Sequence, residues 1–141
     1  MLFRSKSVMW QMNWIAVLGA ALAGFVIGGL WYGPLLGKAW QRESGLSDEA
    51  MKSANMARIF GLAFVLNLLA SFILGHVMAT YGHPKLGVAA MIGFGIGLGF
   101  VATSVGVNYL FARKSLKLFL IDGGYWTVVY TVMGAVFGAL A

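Results

Sequence analysis

Leu86–Ala112 reads LGVAAMIGFGIGLGFVATSVGVNYLFA, 27 consecutive residues without a formal charge. As a helix rising 1.5 Å per residue it is about 40 Å long, more than the roughly 30 Å hydrocarbon core of a bilayer. A membrane-spanning strand needs only about 10 residues in strict alternation, whereas this run is continuous. It predicts a transmembrane helix. Three more stretches share its character. Asn13–Gly37 has 25 uncharged residues, and Ile59–Pro84 has 26 in which only His76 and His83 titrate near neutrality. Leu118–Ala141 has 24 residues and a single acid, Asp122.

The composition points the same way. Of 141 residues 60% are hydrophobic and 10% charged, against about 45–50% and 25% in soluble domains. So few charges argue against a soluble enzyme of this size. The absence of cysteine removes disulfide scaffolds, thiol nucleophiles and cysteine-held metal clusters. Despite the net charge of +6, nucleic acid is not an expected partner. In an apolar chain, Lys and Arg mark loops that face an anionic leaflet. The lipid bilayer is the expected partner.

The expected fold is all-α, a four-transmembrane-helix bundle forming one integral membrane domain over 1–141. Its helices are expected at about 13–37, 59–82, 86–112 and 118–140. Arg4 and Lys6 ahead of Ala21-Leu22-Ala23 imitate a signal peptide, but the apolar run continues to Leu36 and reads as a span. Residues 1–11 read as a polar extension, and Met12 would serve equally as a start. Between the first two spans, Ser47 is a good N-cap, with Asp48 and Glu49 in the first turn and Leu46 and Met51 placed for a hydrophobic staple. A short cytoplasmic interfacial helix from about Asp48 to Met56 is expected there. Gly82-His83-Pro84 predicts a tight turn.

Lysine and arginine set the expected orientation. Lys38, Arg42, Lys52 and Arg58 lie in the first connection and Arg113, Lys114 and Lys117 in the third, against Arg4, Lys6 and Lys85 on the other side. The positive-inside rule puts loops 38–58 and 113–117 in the cytoplasm and both termini outside. Aromatic residues fit two interfacial belts, Trp10, Trp14 and Tyr81 at one boundary and Trp31, Tyr32, Trp40 and Tyr109 at the other.

Glycines at four-residue spacing let helices approach closely in lipid. The sets are Gly24 with Gly28, Gly29 with Gly33 and Gly37, and Gly134 with Gly138. On the third helix, two residues advance the azimuth by about 200°, so Gly93 and Gly97 face away from Gly95 and Gly99. That helix can be gripped from two sides. A dinucleotide reading of this glycine run lacks the preceding strand and the ribose-binding acid.

The polar residues within the spans carry the functional expectations. Asn108 and Asp122 each lie five residues from the basic turn between helices three and four, so they share one depth. With Trp31, Tyr32, Tyr109 and Tyr125 nearby, they outline a polar pocket. Gly123-Gly124 could loosen the fourth helix there, but Asp122 also lies where Arg113, Lys117 and the helix dipole can satisfy it. On helix two, Asn67 and Ser71 are expected to stitch helices together through hydrogen bonds. His76 faces the opposite side and has no carboxylate near it, so no metal or other cofactor is expected.

Asn13-Trp14 opens the first span and Trp31-Tyr32-Gly33-Pro34, with Gly37 and Trp40, closes it. Asn108-Tyr109-Leu110-Phe111, Leu116-Lys117-Leu118 and Gly124-Tyr125-Trp126 follow in the second half. On these residues the chain resembles the bacterial membrane family known as domain of unknown function 1761, over about Met12 to Leu140. The resemblance implies a small four-helix protein of the bacterial inner membrane. It brings no activity, substrate or cofactor.

Four functional readings remain. The leading expectation is a non-catalytic membrane subunit that forms a homo-oligomer or joins a larger membrane complex. The alternative is a small carrier or pore using the Asn108/Asp122 pocket. Known small multidrug carriers rely on a glutamate in helix one, and this helix one has no acid. A membrane enzyme has less support, since no serine–histidine or paired-carboxylate set assembles at one depth. Lipid-headgroup sensing by Arg113, Lys114 and Lys117 rests on three charges.

Overall fold

A computed structural model of the chain describes residues 11–141. Arg4, Lys6, Trp10 and all of the expected polar extension except Gln11 lie outside the described residues. The described chain is all-helical. Helix α1 runs Trp14–Leu30 and continues into a π-helical turn, Trp31–Leu35. Two short helices follow, α2 (Gly37–Ser44) and α3 (Asp48–Ser53). Next come α4 (Met56–Thr80) and α5 (Leu86–Ile96). A second π-helical turn, Gly97–Ala102, joins α5 to α6 (Thr103–Phe111), and α7 (Leu116–Ala139) completes the bundle. Among the described residues four spans are long and apolar enough to cross a membrane: Trp14–Leu35, Met56–Thr80, Leu86–Phe111 and Leu116–Ala139. The protein is a multi-pass membrane protein.

Local chemistry starts and stops these helices. Asn13, Ser47, Asn55 and Ser115 cap α1, α3, α4 and α7, their side-chain oxygens accepting from Ala16, Ala50, Arg58 and Leu118 amides at 3.0–3.1 Å. Each satisfies a donor that the helix itself cannot. After α4, Gly82 (φ 75°) and His83 (φ 56°) turn the chain back through the left-handed region. The first connection holds two short helices rather than one, because the π-helical turn after α1 ends at Leu35 and α2 starts at Gly37.

α7 is the hub of the bundle. It packs along α5 over most of its length and against α1 as well, while α4 packs mainly on α1. The core joins Ala16, Val17 and Ala20 of α1 to Leu74 and Met78 of α4 and Val129, Met133 and Phe137 of α7. In lipid no water is expelled between helices, so close fit and hydrogen bonds must hold this core. Glycine supplies the fit. A Cβ on Gly93 would run into the carbonyl of Tyr130, and one on Gly134 into the carbonyl of Ala89. On Gly138 it would come within 2.5 Å of the Leu86 Cα. These three positions set the α5–α7 spacing.

Hydrogen bonds fasten the rest. Ser71 Oγ donates to the Val17 carbonyl across the α1–α4 contact at 2.6 Å. At one end Asn13 Nδ2 donates to the Leu140 carbonyl and Lys85 Nζ to the Ala141 carbonyl, both at 3.0 Å. At the other end Ser115 Oγ donates to Glu43 Oε1 at 3.1 Å and ties α2 to the start of α7.

Candidate functional site

Asp122 lies almost two turns into α7 and is 8% exposed. The helix dipole acts mainly within the first turn, so it does little for a carboxylate this far in. Arg113, Lys114 and Lys117 are all exposed. Tyrosine hydroxyls serve the acid instead. Tyr32 Oη donates to Oδ1 at 2.6 Å, and Tyr109 Oη donates to Oδ2. Three spans thus meet at one carboxylate. Beside it, Trp31 Nε1 donates to the Ile121 carbonyl at 3.0 Å. Tyr125 packs edge-on against Tyr32 at 4.9 Å between centroids, and its hydroxyl reaches toward the Gly24 carbonyl at 3.4 Å.

Both π-helical turns flank this site. In the first, the Leu36 amide bonds five residues back to the Trp31 carbonyl at 2.8 Å, which accommodates Pro34. Trp31 and Tyr32 lie in that turn. The second lies just before the helix that carries Tyr109. Such a turn takes up about one extra residue, so the residues after it lag by about 100° behind an unbroken α-helix.

The chain's membership follows from its sequence along the whole bundle. A model of a protein family of unknown function, DUF1761, matches residues 15–138. The chain belongs to the DUF1761 family. No curated protein and no solved structure matches it. In this DUF1761 protein the matched stretch takes in all four spans but for Trp14 and Ala139, and it includes Asp122 with its partners Tyr32 and Tyr109.

Of the expected pocket residues, Trp31, Tyr32, Tyr109, Asp122 and Tyr125 come together. Asn108 does not. It is exposed on α6, and Tyr109 occupies the place that the depth argument gave to Asn108. The polar atoms of Trp31, Tyr32 and Tyr109 turn inward, to the Ile121 carbonyl and to Asp122. Trp14 and Tyr81 stay exposed, at 60% and 69%.

On α4 the two polar residues part company. Ser71 bonds Val17, but Asn67 Oδ1 is buried without a hydrogen-bond partner among the described residues. The expected stitch by Asn67 is therefore absent there. His76 packs edge-on against Phe72 at 4.7 Å. Among the described residues no three His, Asp or Glu side chains group where they could hold a metal.

The glycines divide by face. Gly24 and Gly28 of α1 meet Val129 and Tyr125, whereas around Gly29 and Gly33 there is open space. Gly93 and Gly97 press on the α7 backbone, while Gly95 and Gly99 have nothing within 4 Å. Gly134 and Gly138 press on α5.

Proposed function

We propose that this protein is a non-catalytic subunit of the bacterial inner membrane that works by packing against another transmembrane helix. The observation that carries the reading is the bare face of the third span. Gly87, Gly95 and Gly99 lie along it with Met91, which is 74% exposed, and the three glycines have open space beside them. Glycine in a span exposes backbone to lipid, and only a close neighbour turns that into packing. The opposite face, Gly93 and Gly97, is already used by α7. The arrangement at Asp122 supports the non-catalytic part, since two tyrosine hydroxyls from other spans donate to its carboxyl oxygens and give it a packing role.

The absence of cysteine makes the test direct. Single cysteines at Gly95 and Gly99 should give an oxidative cross-link in native membranes, and the product's mass identifies a second copy or a larger partner. Gly95→Leu should weaken that association by about tenfold without unfolding the monomer. Cross-linking no stronger than from the exposed Leu110 would defeat the proposal.

The expected orientation belongs to the same proposal. Lys38, Arg42, Lys52, Arg58, Arg113, Lys114 and Lys117 lie at or near the end of the bundle that carries α2 and α3. An anionic cytoplasmic leaflet favours that end. A cysteine at Ser47 should therefore resist an impermeant thiol reagent in intact cells and react once the membrane is opened. Labelling of intact cells would invert the topology.

A further inference from the structure

The turn between α6 and α7 is rich in cations. Arg113, Lys114 and Lys117 follow one another closely, and all three are exposed. The Lys114 amide bonds back to the Tyr109 carbonyl at 2.9 Å, and Arg113 takes the left-handed position (φ 56°) where glycine is the ordinary choice. Apolar side chains flank the turn on both sides, with Leu110, Phe111 and Leu116 exposed. The ring of Phe119 is wedged against Gly106 and Gly123, where added Cβ atoms would come within 3.0 and 3.2 Å of it. Between the two helices lies a groove of about 420 Å³, within the roughly 300–1,000 Å³ of small-molecule sites. Val107, Leu110, Leu116 and Phe119 line it, with Lys114 and Ser115 at the turn. No acid is among its described lining residues. Ser115 Oγ donates to Glu43, so three cations stand against one nearby carboxylate.

We infer that this groove seats one anionic phospholipid, its acyl chain along Val107, Leu110 and Phe119 and its phosphate at Lys114. Charge complementarity identifies the occupant. The walls take hydrocarbon, and the groove ends beside an ammonium group with further cations around it, which calls for an anion at the head of the chain. A zwitterionic lipid brings its own cation to the turn and loses that advantage. The first amides of α7 lie at the same end, where the helix dipole also favours negative charge. A free phosphate would meet the exposed cations in water, with nothing to hold it there; the acyl chain supplies the hold. The groove follows the second π-helical turn, whereas Gly87 and Gly95 precede it, so this inference and the reading of the bare glycine face can fail separately.

The test is native mass spectrometry of the full chain, released from micelles that hold equal amounts of dioleoyl phosphatidylglycerol and dioleoyl phosphatidylcholine. The two lipids share their acyl chains and differ in net charge. Phosphatidylglycerol should be retained about twentyfold more than phosphatidylcholine, since each basic residue near the headgroup is worth about fivefold and Glu43 offsets one of the three. Lys114→Gln should cut that preference about fivefold. Lys52→Gln removes the same charge from α3, outside the groove, and should cut it less than twofold. Val107→Trp, at an exposed position in the groove, should reduce retention of both lipids. A phosphatidylglycerol with a diazirine in its acyl chain should label residues 103–119. Equal losses from Lys114→Gln and Lys52→Gln would overturn the inference, by showing a diffuse field rather than a site. Displacement of the lipid by inorganic phosphate would overturn it too, since the headgroup alone would then suffice. So would labelling concentrated on another span. A photoreactive residue at position 107 that captures protein instead of lipid in native membranes would give the groove to a second chain.

Discussion

Asp122→Ala destabilises the bundle by roughly 2–4 kcal/mol, the combined worth of two tyrosine hydrogen bonds to a charged acceptor, discounted for the modest value of such bonds in lipid. The loss has two parts. The interactions themselves disappear, and the hydroxyls of Tyr32 and Tyr109 remain without an acceptor in a site that excludes water. Tyr32 is the deeper of the two, so it bears more of the second part. Asp122→Asn keeps an oxygen for one tyrosine, and about half the loss is expected. The decisive comparison places Asp122→Ala in a Tyr32→Phe/Tyr109→Phe background. There the orphaned hydroxyls are already absent, and the additional cost falls to about 1 kcal/mol or less. Denaturant titration in mixed micelles reads all four proteins. Equal costs in both backgrounds would mean that the three side chains do not act together.

Gly93→Ala is expected to be at least as damaging, about 3 kcal/mol, although it adds a single methyl group. That methyl would be driven into the Tyr130 carbonyl, with the Cα of Gly134 only 3.3 Å away. Backbone cannot step aside as a side chain can, so α5 must move off α7. Gly95→Ala is the matched control. In the monomer, diluted in excess micelles so that this face has no partner, its Cβ meets nothing within 4 Å, and the better helix propensity of alanine makes it neutral or stabilising by up to about 1 kcal/mol. The same titration distinguishes them, and equal midpoints for the two variants would refute the close α5–α7 approach.

That pair of glycines also shows what the amino-acid sequence makes legible. Charge-free length revealed the four spans, and two-residue spacing separated Gly93 and Gly97 from Gly95 and Gly99. Depth was legible too, since distance from the basic turn placed a group from helix three level with Asp122. Azimuth was not. On an unbroken helix Asn108 would lie about 60° from Gly93 and Tyr109 about 160°. The π-helical turn Gly97–Ala102 sets the residues after it back by about one residue of rotation, roughly 100°, which leaves Asn108 about 40° to one side of Gly93 and Tyr109 about 60° to the other, the side on which its hydroxyl meets Asp122. Nothing in the composition of GLGFVA announces that turn.

Asn67 was hidden for a different reason. Asn67 and Ser71 have the same spacing and similar polarity, yet only Ser71 faces an accepting carbonyl, that of Val17. Oδ1 of Asn67 lies beside Gly24 instead, 3.5 Å from where a Cβ would sit. The lack of any buried residue from Met56 to Leu66 of α4 was equally invisible. A soluble helix advertises its buried side by polarity, but here both sides are apolar and the pattern carries no such mark.

The meeting of Tyr32, Tyr109 and Asp122 also governs the order of biogenesis. Tyr32 precedes Asp122 by 90 residues and Tyr109 precedes it by 13. Both hydroxyls therefore leave the ribosome before the acid they will serve. An unpaired aspartate disfavours insertion of a helix by about 3 kcal/mol when it lies at the centre, and by less near an end. α7 carries that penalty into a membrane where its two donors already wait. Partitioning of α7 and closure of its contacts with the first and third spans thereby become one event.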